Sequence, residues 1–144
     1  MRPCYVKLAE LLLKGTSGEG LTVLGNPGIG KSTFLGYLAW LLCKKKDPAV
    51  PLIYHYALDT KVDIFLALLP GGLVTSDPAP SLRDPRCVYL VDNVSPLPCM
   101  GITILVTSVD NQSATKMWFK RTGTNRFPNY MPFWSGVCVY HHLF

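Results

Sequence analysis

Hydrophobic residues along the chain form two kinds of run, short continuous stretches and longer stretches with helical spacing. Continuous runs rich in β-branched or aromatic residues predict strands. Four runs have this character: 21–24, 52–58, 87–91 and 102–106. Helical spacing predicts helices at 5–14 and 32–44. This alternation is typical of α/β proteins in which helices flank a mainly parallel sheet.

The same pattern indicates which segments are buried and which lie at the surface. The strand runs are continuous rather than alternating, which predicts a sheet covered on both faces. The helix at 32–44 is apolar nearly all round, so we expect it to be buried against the sheet. The run "VDIFLALL" at 62–69 is ambiguous between strand and helix, and we favour a helix. The segment 70–85 has four prolines and two glycines, which predicts a long surface connection.

Length and composition favour one globular domain. The chain has 144 residues, of which 49% are hydrophobic and 16% charged. The longest apolar run, 34–43, falls well short of the roughly 18 residues that cross a bilayer, and no signal-peptide cleavage pattern follows the first apolar stretch. The five cysteines form no C-x-x-C pair, which argues against a disulfide framework or a zinc site. We therefore expect an intracellular protein of the cytosol or nucleus, without a membrane partner.

The formal charge of +5 raises the question of a nucleic-acid partner. Three lysines lie together at 44–46, where the predicted helix should end, and the helix dipole favours cations there. A solvated helix end explains this cluster better than a nucleic-acid surface. A nucleic-acid partner stays open but has no specific support.

The segment "GNPGIGKST" at 25–33 matches the phosphate-binding pattern G-x-x-x-x-G-K-[ST], between a predicted strand and a predicted helix. Glycines in such a loop let backbone N–H groups turn toward a phosphate, and the helix N-terminus adds positive charge. The predicted nucleotide-binding residues are Gly25, Asn26, Pro27, Gly28, Ile29, Gly30, Lys31, Ser32 and Thr33.

The side chains that end this loop have distinct predicted roles. Lys31 should reach the β- and γ-phosphate oxygens, Ser32 should ligate Mg²⁺, and Thr33 should support the α-phosphate. An acid should hold the magnesium water shell from the other side. Asp92 is the strongest candidate because it ends a buried strand, where ligands lie in open parallel sheets. The predicted metal site is thus Ser32 with Asp92, and ATP is favoured over GTP because no guanine-reading N/T-K-x-D pattern is present.

Asn93 leaves hydrolysis open. In P-loop ATPases with paired acids at this strand end, the second acid polarises the attacking water, and an amide cannot accept that proton. Thr107 and Ser108 end the next strand and are candidates to orient water or the γ-phosphate. Asp110 is a candidate base, although the residues around it also suit an ordinary turn.

Aromatic and basic residues share the segment after 115. The aromatic residues are Trp118, Phe119, Phe133 and Trp134, and the basic ones are Lys116, Lys120, Arg121 and Arg126. We interpret the aromatic residues as core rather than as base-stacking groups. The basic residues fit a solvated helix face better than a nucleic-acid contact or an arginine finger. His55 is interpreted as a packed core residue.

Several segments, in this order, resemble the P-loop NTPase domain of the Crinkler effectors of oomycetes and fungi and of the related retrotransposon hot spot proteins of trypanosomes. They are "LTVLGNPGIGKSTFLGYLAWLL", "CVYLVDN", "ITILVTS" and "KMWFKRTGTNRFPNYMPFWS". The likeness covers about residues 3 to 135. It predicts an NTPase core over 1–135 and a divergent tail over 136–144, as in a chain truncated at its C-terminus.

The resemblance implies an ATPase division with an extra strand between the phosphate-loop strand and the strand that ends in Asp92, which suits 102–106. It gives Lys31, Ser32 and Asp92 the nucleotide and magnesium roles. Its members are usually longer, with a translocation segment and an effector domain, so it also implies secretion of full-length relatives into a host.

Two functional hypotheses follow. The first is a magnesium-dependent, ATP-binding domain that hydrolyses its nucleotide slowly. The second is a non-hydrolysing, nucleotide-gated or degenerate module that binds a host or chromatin protein. A small-molecule kinase would share Lys31 and Ser32, but a lid of arginines is not recognisable.

Overall fold

The computed structural model describes residues 3–14, 20–45, 50–59, 62–68, 74–75, 77–111, 116, 118 and 129–131. All structural statements below concern these residues. The predictions for Phe119, Lys120, Arg121, Arg126, Phe133, Trp134 and the tail at 136–144 lie outside them.

A seven-stranded sheet forms the centre of the molecule. The strands are β1 (Leu21–Gly25), β2 (Leu52–Asp59), β3 (Val62–Leu68), β4 (Val74–Thr75), β5 (Val88–Asp92), β6 (Ile102–Ser108) and β7 (Asn129–Tyr130), in the spatial order β4-β3-β2-β5-β6-β1-β7. Neighbouring strands from β2 to β7 in this order pair in parallel, and β3 and β4 add antiparallel pairs at one edge. The predicted α/β fold with a mainly parallel sheet is confirmed.

The strand β6 lies between β1 and β5 and pairs with both in parallel. This is the position that the resemblance implied for the run at 102–106. All three strands therefore end at the same edge of the sheet, which brings the residues that follow β1 near those that end β5 and β6.

Two helices cover one face of the sheet. The helix α1 (Pro3–Lys14) begins at a proline, which the first helical position tolerates well, and α2 (Lys31–Lys45) follows β1 directly through the glycine loop. Their buried side chains form one cluster with Val23, Leu90 and Ile104 of the sheet. The expected helices at 5–14 and 32–44 are thus present.

The helix α2 is less buried than its apolar sequence suggests. Phe34, Leu35 and Leu38 are fully buried, but Trp40 is 46% exposed on the opposite side. The Lys44 ammonium lies 4.3 Å from the centre of the Trp40 ring, so a cation–π contact covers part of it. The helix is thus buried against the sheet, as expected, but the side that carries Trp40 lies at the surface.

A second cluster covers the other face of the sheet. It contains Ile53, Tyr89, Leu105 and Trp118, each 7% exposed or less. Trp118 is therefore a core residue, as predicted, whereas Lys116 is exposed. The strands are covered on both faces, as their continuous hydrophobicity predicted.

The helix favoured at 62–69 was wrong, because residues 62–68 form β3, and residue 69 lies outside the described part of the chain. This strand runs antiparallel to β2 and pairs with it along its length, so that His55 lies opposite Phe65. Their rings stack at 4.0 Å. Pairing with a distant strand outweighs the local helical pattern here.

The segment 70–85 contains more structure than a surface connection. Val74 and Thr75 form β4, and α3 (Ala79–Leu82) places Ser81 and Leu82 in buried positions. Asp77 accepts a hydrogen bond from the Ala79 N–H at 3.0 Å and so forms an Asx turn at the start of this helix.

Candidate functional site

The phosphate-loop motif lies between β1 and α2, at the carboxyl edge of the parallel strands. Gly28 has a φ of 78° and Gly30 a φ of 90°, values that residues with a side chain rarely adopt. A Cβ on Gly28 would meet no described atom within 4 Å. The requirement for glycine at this position is therefore conformational rather than steric.

Two buried apolar side chains pack against the start of the loop. A Cβ on Gly25 would lie 2.3 Å from Cδ1 of Ile29 and 3.3 Å from Cβ of Met131. Ile29 and Met131 are 6% and 5% exposed, and the Met131 N–H donates to the Leu24 carbonyl at 2.8 Å. The absence of a side chain at Gly25 thus lets the loop backbone pack against two apolar side chains, and the Ile29 side chain packs inside the turn.

Lys31 bonds to the loop itself. Its Nζ donates to the carbonyl oxygens of Gly25 at 2.9 Å and Asn26 at 2.7 Å. Partial burial lowers the pKa of Lys31, and the nearby carboxylate of Asp92 works in the opposite direction. The Lys31 ammonium therefore lies over the loop, bound to two neutral carbonyl oxygens. A phosphate bound in the loop would offer this ammonium anionic oxygens in their place.

Ser32 and Thr33 begin α2 with exposed side chains. Residues 31–34, the first turn of the helix, include no acid, so its N–H groups present unopposed positive charge. The Phe34 N–H donates to the Gly30 carbonyl at 2.9 Å, which starts the helix directly at the loop. Both hydroxyls are accessible to a ligand in the loop.

Asp92 ends β5 in a partly buried position. Its Oδ2 accepts a hydrogen bond of 3.4 Å from the Tyr54 hydroxyl on the neighbouring strand. Burial and the Asp92 carboxylate raise the pKa of Tyr54, so this hydroxyl stays a neutral donor. The fold thus brings Asp92 close enough to interact with Lys31, although 61 positions separate them in the sequence.

Asn93 follows Asp92 with a φ of 56°, in the left-handed region that asparagine tolerates better than most residues. Its N–H donates to the Val106 carbonyl at 2.7 Å, and its Oδ1 accepts the Thr107 hydroxyl at 2.9 Å. Asn111 donates its side-chain amide to the Asn93 carbonyl at 3.1 Å. Asn93 therefore links the end of β5 to the end of β6 and to the turn after it.

The polar residues that end β6 occupy different environments. Thr107 is fully buried with its hydroxyl bound to Asn93, and Ser108 is partly buried with its N–H 3.4 Å from Asn93 Oδ1. Asp110 is exposed in a turn that the Asn111 N–H closes on the Ser108 carbonyl at 3.2 Å. The Thr107 hydroxyl therefore joins the ends of β6 and β5, and Asp110 is an exposed turn residue.

Sequence reasoning missed two tyrosines of the site. The Tyr5 hydroxyl, on α1, donates to the Gly30 carbonyl at 3.0 Å, and its ring packs edge-on against Phe34 at 5.5 Å. Tyr54 contacts Asp92 as described above. Neither lies in a motif, and only the fold shows that α1 and β2 reach the loop and the aspartate.

The buried His55 confirms its interpretation as a core residue. It is 0% exposed, and its Nδ1 lies 2.6 Å from the Tyr89 hydroxyl, which also accepts the Leu97 N–H at 3.3 Å. His55 and Tyr89 thus share a buried hydrogen bond, and Nε2, on the other side of the imidazole ring, lies 3.7 Å from the Asp63 carboxylate. This network holds the loop that follows Asp92.

Comparison with protein-family models, with curated proteins and with solved structures found no match. In the described part of the chain, no helix is long and apolar enough to cross a membrane. Nor do the described residues include a cluster of three or more histidine, cysteine, aspartate or glutamate side chains that could hold a metal ion. A magnesium site at Ser32 and Asp92 would instead take most of its ligands from water and phosphate.

Proposed function

We propose that this chain is a P-loop domain that binds ATP with Mg²⁺. The observation that carries the proposal is that Lys31, at the start of α2, and Asp92, at the end of β5, lie at the same edge of the sheet, where the Asp92 carboxylate acts on the Lys31 ammonium. A cation in a glycine loop and a carboxylate on a second strand are the two protein elements that a magnesium nucleotide needs. The strand order β5-β6-β1 supports the proposal because it places these elements at one edge of the sheet.

The residues present fit such a ligand. Gly28 and Gly30 hold the loop open in left-handed conformations, so that its N–H groups can turn toward a phosphate. Lys31 would give up its bonds to the Gly25 and Asn26 carbonyls and pair with the β- and γ-phosphate oxygens. The Ser32 hydroxyl and the Asp92 carboxylate would hold Mg²⁺, which neutralises phosphate charge when bound.

A non-hydrolysing module is the second candidate function, and Asn93 favours it. The Asn93 amide cannot remove a proton from water. Its Oδ1 also accepts the Thr107 hydroxyl, so Thr107 is not free to orient water. Asp110 would have to leave its turn to act as a base. Binding without rapid turnover is what this arrangement supports.

The wider role rests on the resemblance to the Crinkler and retrotransposon hot spot domains. We propose that the domain belongs to an effector of that kind, acts inside a cell and reports its nucleotide state to a host or chromatin protein. The exposed Lys116 gives no specific support for nucleic acid as the partner.

ATP titration followed by calorimetry tests the proposal. The wild-type chain in Mg²⁺ should bind ATP, and Lys31→Ala should weaken binding by at least roughly a hundredfold, because a charge-assisted contact worth about 3 kcal/mol is lost. Lys116→Ala removes the same charge from an exposed site elsewhere and should bind as the wild type does. Equal affinity of all three proteins would overturn the assignment.

Phosphate release distinguishes the two candidate functions. Release by the wild type above the level of Lys31→Ala, and its loss in Asp92→Ala, would identify an ATPase. Release at the level of Lys31→Ala, with tight ATP binding retained, would identify the module.

A further inference from the structure

Two cysteines meet at the edge of the sheet opposite the phosphate loop. Cys87 immediately precedes β5 and is 0% exposed. Cys99 is partly exposed and lies in the segment 93–101, which returns from Asp92 to the start of β6. Neither of the two cysteines is in a disulfide.

The backbone holds these two cysteines together. The Ile102 N–H donates to the Cys87 carbonyl at 2.9 Å. A Cβ on Gly101 would lie only 2.0 Å from that carbonyl oxygen, so the two backbones touch where Gly101 passes Cys87. Cys99, two residues before Gly101, packs against the buried cluster that contains Cys87.

The surroundings of Cys99 stabilise its thiolate. Hydrogen bonds from Cys87, from the Gly101 N–H and from the Thr103 hydroxyl outweigh partial burial and lower the pKa of Cys99 to about 7. Tyr89 also faces the pair, and burial raises its pKa, so it adds no charge. Cys99 therefore forms the thiolate, which is the form that reacts with electrophiles, more readily than an ordinary cysteine does.

We propose that Cys99 and Cys87 are a peroxide-reactive pair that closes to an intramolecular disulfide. Partial exposure lets peroxide reach Cys99, and Cys87 belongs to the buried cluster against which Cys99 packs. The pair is a modification site separate from the nucleotide site, and its expected substrate is hydrogen peroxide or a small alkyl hydroperoxide.

The chemistry proceeds in two steps. The Cys99 thiolate attacks one peroxide oxygen, the O–O bond breaks, and the leaving hydroxide takes a proton to become water, which leaves a sulfenic acid on Cys99. The Cys87 sulfur then attacks the Cys99 sulfur, the S–S bond forms, the S–O bond breaks, and the Cys87 proton leaves with the hydroxyl as water. Two thiols lose two electrons in total, and the peroxide gains them.

Peptide mapping of the full, reduced chain tests the pair. The protein is treated with one equivalent of hydrogen peroxide at pH 7, remaining thiols are alkylated, and digestion follows with trypsin and an aspartate-specific protease. Cleavage after Arg86 and before Asp92 and Asp110 separates the cysteines into peptides 87–91 and 92–109. These peptides should appear joined, ahead of any link to Cys4, Cys43 or Cys138. Peroxide-treated protein in which both cysteines are still alkylated would overturn the proposal.

Variants identify the roles of the two sulfurs. Cys87→Ser should trap Cys99 as a sulfenic acid that dimedone labels, whereas Cys99→Ser should leave Cys87 reduced. Cys43→Ser removes an exposed cysteine on α2 and should form the 87–99 disulfide at the wild-type rate. Oxidation of Cys87 in Cys99→Ser at the wild-type rate would contradict the order of steps.

Thr103→Val is the conservative test of thiolate stabilisation. It removes the hydroxyl that donates to Cys99 and keeps the shape of a side chain that is 2% exposed. Disulfide formation should slow several-fold at pH 7 and recover at pH 9, where Cys99 ionises without help. A rate equal to the wild type at pH 7 would contradict the proposed stabilisation.

Discussion

The hydroxyl of Thr107 donates a 2.9 Å hydrogen bond to Oδ1 of Asn93, and this bond joins the ends of two strands beside the proposed magnesium aspartate. Under the proposed function, Asn93 stands where a second acid would stand in an active ATPase. Its amide therefore has a structural role, which it could share with a carboxylate because aspartate also accepts hydrogen bonds and tolerates positive φ.

Asn93→Asp should increase ATP hydrolysis. One carboxylate oxygen can keep the Thr107 bond while the other can accept a proton from water, so phosphate release should rise by at least roughly tenfold. Release is measured in Mg²⁺ with Lys31→Ala/Asn93→Asp as the background. An unchanged rate in a folded, ATP-binding Asn93→Asp protein would show that the missing base is not what limits turnover.

Asn93→Ala is the structural counterpart of that change. Alanine keeps the backbone carbonyl that Asn111 contacts, but it loses the Oδ1 that accepts from the Thr107 hydroxyl at 2.9 Å and from the Asn111 side-chain amide at 3.2 Å, and it adopts positive φ with strain. The free energy of unfolding should therefore fall by about 2 to 4 kcal/mol. Urea denaturation measures this loss. A loss below about 0.5 kcal/mol would contradict the proposed linking role.

Gly28→Ala should strain the phosphate loop. Open space surrounds this glycine, but its φ of 78° costs alanine about 1 to 2 kcal/mol, and relief of that strain would turn the loop N–H groups away from a phosphate. We expect ATP affinity to fall by roughly tenfold or more.

Gly36→Ala provides the matched control. This glycine lies in α2, where a Cβ would also meet open space, and no left-handed φ is involved. Alanine there should raise the free energy of unfolding by about 0.5 to 1 kcal/mol and leave ATP affinity unchanged. Equal effects of the two substitutions on binding would argue against a conformational role for Gly28.

Tyr5→Phe should weaken the support of the loop by α1. The ring keeps its contact with Phe34, and only the bond to the Gly30 carbonyl is lost, so the free energy of unfolding should fall by about 0.5 to 1.5 kcal/mol. ATP affinity should fall with it, because Gly30 carries one of the two left-handed conformations of the loop. Tyr37→Phe changes a neighbouring ring that stacks on Tyr5 and should leave affinity unchanged.

Stability should decrease as the pH falls below about 6.5, the ordinary pKa of histidine. Burial lowers the pKa of His55, so the unfolded chain binds a proton more readily than the folded one, and acid favours unfolding. The slope from this one residue cannot exceed about 1.4 kcal/mol per pH unit.

Substitution of Asp63 gives a more specific test of this pH dependence. Its carboxylate lies 3.7 Å from Nε2 of His55 and opposes the lowering of the pKa. Urea denaturation between pH 7.5 and 5.5 should therefore show a steeper loss for Asp63→Asn than for the wild type, and a shallower loss for His55→Gln. Parallel curves for all three proteins would show that His55 does not titrate on unfolding.

The glycine loop and the strand and helix on either side of it could be predicted from sequence because their signal is local. Gly25, Gly28, Gly30 and Lys31 stand in a fixed pattern between a strand and a helix, and the structure has these two elements where expected. Asp92 could be placed at the strand end for the same reason. These features depend on spacing alone.

Features that depend on contacts between distant segments could not be predicted. The run at 62–68 has apolar residues compatible with a helix, and only pairing with β2 makes it a strand. The Thr107 hydroxyl ends a strand as expected, yet its partner is Asn93 on another strand. Tyr5 and Tyr54 reach the site across the fold, where no sequence spacing relates them to it.

The central claim is that Lys31 and Asp92 serve one magnesium nucleotide, and the linkage between Mg²⁺ and ATP tests it most directly. ATP affinity is measured with and without Mg²⁺ for the wild type, Asp92→Asn and Lys31→Ala. We predict that Mg²⁺ strengthens ATP binding by the wild type, that Asp92→Asn loses this enhancement but still binds ATP, and that Lys31→Ala binds under neither condition. The same magnesium enhancement in Asp92→Asn as in the wild type would contradict the claim.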